Sequence, residues 1–468
     1  MDILMARKNK RKPKNQKPIS ALPVLRPNVA GIDLGSRAHW VAGPVLPDKA
    51  NVEQFGTTTP QLNALVDWLK EQGVVSVAME STSVYWIPVY EILESHGFEV
   101  LLVNARHLGN VPGRKTDILD CQWIQMLHSC GLLKGSFRPA EDICALRSYK
   151  RQCANLIHQR TTAVQWMQKS LDQMNIKVHH AVTDLTGKTG MNIIRDIVAG
   201  ERDPGKLALH RDKRCKKSIE EIADHLTGNW REEHLFNLEE ALSYYDFLQS
   251  KIEAYNTKIV EKVESMQPKE RKEDNVPTHT NPTKERLIRR QGNQEMREAL
   301  WRWTGVDLCR IDGVSTECAQ IVLTEVGFEL SSFDSENHFA SWLRLAPKYG
   351  VTGGKPQKKK KNSLGSTRVA TALRMGAMSL RNSKTALGAY FRRLARHKDF
   401  SVAAFATARK LSHLIFRMLK YGVDYVDIGE KAYEQRFLDR RITGLKSSAQ
   451  ALGFELIPCH GGSIVFSD

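Results

Sequence analysis

From Val29 the chain runs in short stretches of β type, VAGIDL, HWVAGPV and a weaker NVEQFG, separated by turn residues at hairpin spacing. Three antiparallel strands are predicted. Thr59-Pro60 then reads as an N-cap followed by proline at the first helical position, and Leu62, Leu65, Val66 and Leu69 fall on one helical face. The apolar run VVSVAM, ending at Glu80, predicts a buried strand. It is followed by an amphipathic helix around Val84 to Ser95, a strand FEVLLV and a helix from about Thr116 to Leu132. The predicted order over residues 28–140 is βββαβαβα, an α/β domain.

Beyond it the period lengthens. Leu146, Tyr149, Cys153, Leu156, Ala163, Met167, Ser170 and Met174 recur in steps of three and four, with a break at Arg160. A second seam runs through Leu238, Leu242, Tyr245, Ile252, Ile259, Val263 and Met266, with polar residues at two intervening positions. Two long helices over 141–267 are predicted, folding back as an antiparallel coiled coil or joining partner chains. Residues 176–232 between them, with the basic cluster His210 to Lys217, give no clear pattern. The polar, proline-bearing stretch 268–295 reads as a linker or surface loop. A mostly α-helical domain follows over 296–430, with helices at about Arg368–Leu394 and Ala404–Leu419, and 431–468 reads as a tail. In LCRIDGVSTECAQIVLTEVG, Gly313 sits between two apolar stretches. It reads either as a helix-hairpin-helix turn that offers amides to phosphate or as an ordinary αα-corner.

Composition narrows the partners. The 468 residues exceed what one core supports, and 69 lysines and arginines against 52 acidic residues give a formal charge of +17. Such an excess favours nucleic acid, with a merely basic surface as the alternative. Residues 1–27 carry eight cations, seven of them between Arg7 and Lys17, with several prolines and few apolar residues, which predicts a basic disordered arm. The eight cysteines show no CxxC pair or framework spacing, as expected of reduced thiols. With neither a membrane-length apolar run nor a signal segment, the expected location is the cytoplasm.

The chemistry concentrates in four carboxylates. Asp33 lies inside an apolar strand, where a charge is costly unless paired or bound to metal. Glu80 closes the fourth strand and falls beside Asp33 if the two strands are neighbours. Asp117 and Asp120, three apart, share a helix face. Each alone could be a cap or a helix-start charge. Together, in this order on βββαβαβα, they form a set that could hold Mg²⁺ for phosphodiester chemistry. Lys115, just before the aspartate pair, either orients a phosphate or is a solvated helix-start lysine.

The segments GIDLGSRAHWVA, AMESTSVYWIPVYEILESHGFEVLLVN and GRKTDILDCQWIQMLHSCGLLKGSFRP resemble the RNase H-like (RuvC-like) domain of DEDD insertion-sequence transposases, family one-hundred-and-ten. Members of this family are also known as bridge-RNA-guided recombinases, and Piv-type DNA invertases are relatives. FASWLRLAPKYGVTGGK and ATALRMGAMSLRNSKTALGAYFRRL resemble the family's C-terminal transposase domain. The resemblance implies Asp33, Glu80, Asp117 and Asp120 as a magnesium-binding tetrad. It also implies donor and target DNA as substrates, a structured bridge RNA that pairs with both, and a homo-oligomer in which dimers assemble to a tetramer.

The family also implies a nucleophilic serine just before Gly-Gly-Lys, and here that position is Thr352. A threonine hydroxyl can attack when activated, although its methyl group crowds the approach. Ser363 or Ser366 could replace it, or the copy could be impaired. Gly353, Gly354, Lys355, Lys358, Lys359, Lys360 and Lys361 would meet phosphate by charge rather than by base readout. The rival readings are a catalytically impaired RNA- and DNA-binding scaffold, a RuvC-like junction nuclease, and an ATP-using enzyme of the actin and sugar-kinase fold, whose second phosphate loop is missing from the sequence.

Overall fold

The computed structural model describes residues 23–44, 51–81, 83–104, 117–268, 276–279, 281–290, 293–347, 351–352, 355–356 and 367–456. For 117–119, 290, 351–352 and 355–356 it describes the backbone alone. The chain divides into two compact units, Met1–Arg138 and Pro139–Asp468. Among the described residues no helix is long and apolar enough to cross a membrane.

The first unit is a five-stranded mixed sheet in the order β3-β2-β1-β4-β5. Its strands are β1 (Val29–Leu34), β2 (Ala38–Ala42), β3 (Val52–Gly56), β4 (Ser76–Glu80) and β5 (Glu99–Val103), and its helices are α1 (Thr59–Glu71), α2 (Trp86–Ser95) and α3 (Asp117–Ser129). The element order is the βββαβαβα of the sequence. β1, β2 and β3 form the antiparallel meander, whereas β4 pairs in parallel with both β1 and β5. Alternation along the strands sorts two cores. Ile32, Leu34, Val77, Met79 and Leu102 pack with Leu62, Leu65, Val66, Leu69, Val89 and Leu93 of α1 and α2. Ala78 and Val103 pack instead with Ile124 and Leu127 of α3. The four buried apolar residues of α1 contribute about 1.5–3 kcal/mol each through removal from water. That burial fixes α1 without a side-chain cap: Thr58, one residue earlier than expected, takes the N-cap position and makes no capping hydrogen bond.

The second unit is built on α4 (Glu141–Gln173) and α9 (Glu232–Ser265), which lie side by side. They run antiparallel: Asp142 meets Lys262 at 2.6 Å and Gln159 accepts from the Tyr244 hydroxyl at 3.2 Å. The breaks in the two apolar seams face each other, with Arg160 donating to Gln249 and Cys153 meeting Asn256 at 3.7 Å. Between them α5 (Val178–Ala181), α6 (Lys188–Val198), α7 (Pro204–Ala208) and α8 (Ile219–Leu226) enclose a core of Ile176, Ile193, Ile194, Ile197, Leu207, Ile222 and Leu226. The basic cluster His210 to Lys217 leads into α8, where Ser218 and Glu221 form a reciprocal capping box.

Where a linker or surface loop is expected, α10 (Pro282–Arg290) carries the half-buried Lys284 and the buried Glu285. Glu285 bonds Arg297 of α11 (Gln294–Thr304) at 2.8 Å, and Arg297, with 1 % of its side chain exposed, also meets Asp307 at 2.7 Å. Next come α12 (Thr316–Val326) and α13 (Glu336–Trp342), then the short hairpin β6 (Val351–Thr352) and β7 (Lys355–Pro356). The last four helices are α14 (Arg368–Ser379), α15 (Ala386–His397), α16 (Phe400–Tyr421) and α17 (Gly429–Ala451). The single helix expected over Arg368–Leu394 is thus two. Thr385 caps α15 by accepting from the Gly388 amide, and Gly388 lies so near Ser383 that a Cβ there would meet its carbonyl oxygen at 2.2 Å.

Candidate active site

Asp33 and Glu80 stand near the carboxyl ends of two adjacent parallel strands, the usual ligand-facing edge of such sheets. Ile32 pairs with Met79, and both sit in the α1–α2 core, so the next position along each strand points to the opposite face. That face is covered by α3. Gly31 and Asp33 of β1 share it with Ala78 and Glu80 of β4. Asp33 and Glu80 are both half-buried there.

The approach of α3 is set by Gly31. A Cβ on that residue would lie 2.3 Å from the Gln125 amide nitrogen and 2.5 Å from the Cys121 carbonyl oxygen. Only glycine admits the helix at this distance. A glycine inside a strand is the signal that could have marked it from the sequence. Farther along α3 the buried His128 ring nitrogen bonds the buried Ser76 hydroxyl at 2.9 Å, tying the helix to β4. Burial holds the His128 pKa below the ordinary histidine value, with the nearby Arg26 charge acting in the same direction.

Asp120, half-buried, precedes Cys121, which is fully buried. The Cys121 thiol is pushed up to about 11, first by burial and then by the negative charges of Asp33 and Asp120, which place both carboxylates near it. Asp33 and Glu80 bring carboxylate oxygens to this face. Asp117 opens α3, and its side chain lies outside the described residues, as does all of Lys115. Among the described residues no three histidine, cysteine or acidic side chains converge closely enough to hold a metal ion. The structure thus brings Asp33 and Glu80 onto one face, with Asp33 and Asp120 both acting on Cys121, without closing a ligand shell from these three.

In the second unit Thr352 pairs with Lys355 and Val351 with Pro356, so Thr352 is the last residue of β6. Gly353 and Gly354 lie outside the described residues, as do Lys358, Lys359, Lys360, Lys361, Ser363 and Ser366. Gly313, at φ +86°, touches Gly376 of α14: a Cβ on Gly376 would lie 2.1 Å from the Gly313 carbonyl oxygen. Close packing of backbone against backbone accounts for this glycine.

A family model described as a transposase, of the DEDD type, matches residues 30–176, which span the sheet, α3 and α4. A second, described as the transposase IS116/IS110/IS902 family, matches residues 305–392, which contain the Thr352 hairpin. Both come from one family and occur in the expected order. The chain belongs to the IS110 family of DEDD transposases. No curated protein matches it. As a family member it is a DNA transposase.

Proposed function

We propose that this transposase cuts and exchanges DNA strands to excise and insert its element, using a RuvC-like carboxylate site together with a hydroxyl nucleophile at Thr352. The observation that carries the proposal is the placement of Asp33 and Glu80 on the sheet face covered by α3, the helix that bears Asp117 and Asp120. Asp33, Glu80, Asp117 and Asp120 would hold Mg²⁺, for which an all-oxygen donor set is suited. When bound, the ion supplies charge stabilisation at the scissile phosphate.

The chain's own groups do the rest. The Thr352 oxygen attacks phosphorus, one bond from phosphorus to a deoxyribose oxygen breaks, and the departing sugar hydroxyl carries away a proton. The phosphodiester energy is kept in a threonine–DNA ester. A sugar hydroxyl of another strand reverses the step and releases Thr352. Lys115, Lys355 and the lysines at 358–361 would hold the DNA backbone by charge, and a bridge RNA would supply sequence choice by pairing. The helical second unit would support a dimer assembling to a tetramer, with coiled-coil packing between α4 and α9 inside each chain.

Substitution of single carboxylates tests the site. Asp33→Asn, Glu80→Gln, Asp117→Asn and Asp120→Asn should each slow magnesium-dependent cleavage of element-end DNA about a hundred-fold or more, the scale of losing several kcal/mol of charge stabilisation. Asp67→Asn, an exposed position on α1, should not. Wild-type rates in any two of the four variants would remove the tetrad.

A further inference from the structure

The last three helices place cations and aromatic rings together at a spot that the proposed chemistry does not use. Arg393 of α15 lies 4.1 Å from the Phe437 ring centre and 5.5 Å from that of Tyr390, and its Nε donates to the Tyr433 hydroxyl at 3.2 Å. The ammonium of Lys410, on α16, lies 4.9 Å from the same Tyr390 ring. Two cations therefore lie against one aromatic ring. Arg440 of α17 is close enough to act on Lys410, and its Nε donates only to the Arg436 carbonyl at 3.1 Å.

Among the described residues no carboxylate lies within ion-pair distance of Arg393, Lys410 or Arg440, whereas neighbouring Arg417 is paired with Glu336 and Arg392 with Glu430. Lys410 accordingly titrates below the ordinary lysine value. Surrounding protein is the larger cause, and the positive charges of Arg440, Arg393 and Arg417 add to it. Residues 368–451 hold seventeen lysines and arginines against six acidic residues, so the crowding is not relieved nearby.

A cage that served only to pack Arg393 would gain nothing from two more cations beside it. Rings that preorganise a guanidinium, flanked by unneutralised ammonium and guanidinium groups, suit a polyanion whose charges recur along a chain. We infer that Arg393, held by Tyr390, Tyr433 and Phe437, forms with the neighbouring Lys410 and Arg440 a binding site for the DNA phosphate backbone. Contact there is independent of sequence and is made by α15, α16 and α17 rather than by the lysine-rich hairpin. The inference rests on the transposase reading for the identity of the polyanion, and its test reads binding rather than cleavage.

The test is the salt dependence of affinity for a labelled random-sequence DNA duplex, measured with the full chain. Each neutralised phosphate contributes about 0.9 to the slope of log affinity against log salt. A Lys410→Gln/Arg440→Gln double variant should lose nearly two such contacts from its slope and bind the duplex at least about ten-fold more weakly at physiological salt. Lys410→Arg/Arg440→Lys should restore the slope. Lys70→Gln/Lys251→Gln, with the same change in net charge at exposed positions on α1 and α9, should leave it unaltered. An unchanged slope in the first variant, or an equal fall in the Lys70/Lys251 control, overturns the site. A fall confined to a structured RNA hairpin assayed in parallel overturns the DNA assignment. Failure of the wild-type chain to bind any duplex would instead remove the DNA-handling reading on which the proposal rests.

Discussion

Single residues decide how closely the parts of the carboxylate site come together. Gly31 is the clearest case, because the atoms that an added methyl would strike belong to the backbone of α3, which cannot rotate aside. Gly31→Ala should therefore push α3 off the sheet. It should cost about 1–3 kcal/mol, the usual range for overpacking, and slow cleavage by shifting α3, with Asp117 and Asp120, away from the sheet face. Urea unfolding of the full chain measures the first effect, and an unchanged midpoint would show that the helix is not seated through Gly31. Asp33 and Glu80 were legible in the sequence because charges that interrupt apolar strands are costly and so stand out. Gly31, Cys121 and the Ser76–His128 bond were not, since each has meaning only once α3 is laid across β1 and β4.

At the scale of elements, periodicity read well wherever one face of a helix or strand is buried. The strands, α1 and the two long helices all follow their apolar patterns. It read poorly where polar groups are satisfied inside the protein. The stretch 268–295 looks like a linker because its residues are charged, yet Arg297 sits buried between Glu285 and Asp307. For Glu285, burial alone would raise the carboxyl pKa, but the hydrogen bonds and charge of Arg297 outweigh it and hold it below the usual range. The Ser76–His128 tie makes a prediction at this scale. The folded state keeps His128 neutral, with its pKa below 6.5, so below that value the unfolded chain binds more protons. Stability from this site is fully present above the ordinary histidine value and is lost as pH falls through it toward the folded pKa. His128→Gln should flatten the decline in urea midpoint between about pH 7.5 and 5. Some slope should remain from His39, whose pKa burial also lowers. A decline as steep as in wild type would exclude His128 as its source.

Across the whole molecule, the two regions that match transposase models carry the two parts of the proposed site: Asp33 and Glu80 on the sheet of the first unit, and Thr352 on β6 of the second. Their order was visible in the sequence because strand-end acids and a Gly-Gly turn are local signals. How a threonine performs as nucleophile is a property of the assembled site, and so it is the point to measure first. Wild type, Asp33→Ala and Thr352→Ala proteins would be incubated with magnesium, element-end DNA and RNA transcribed from the element's flanks, then resolved under denaturing conditions for covalent protein–DNA adducts. The account predicts an adduct with wild type and none with either variant. An adduct that persists in Thr352→Ala would contradict it and move the nucleophile to another hydroxyl, with Ser363 and Ser366 the first to substitute.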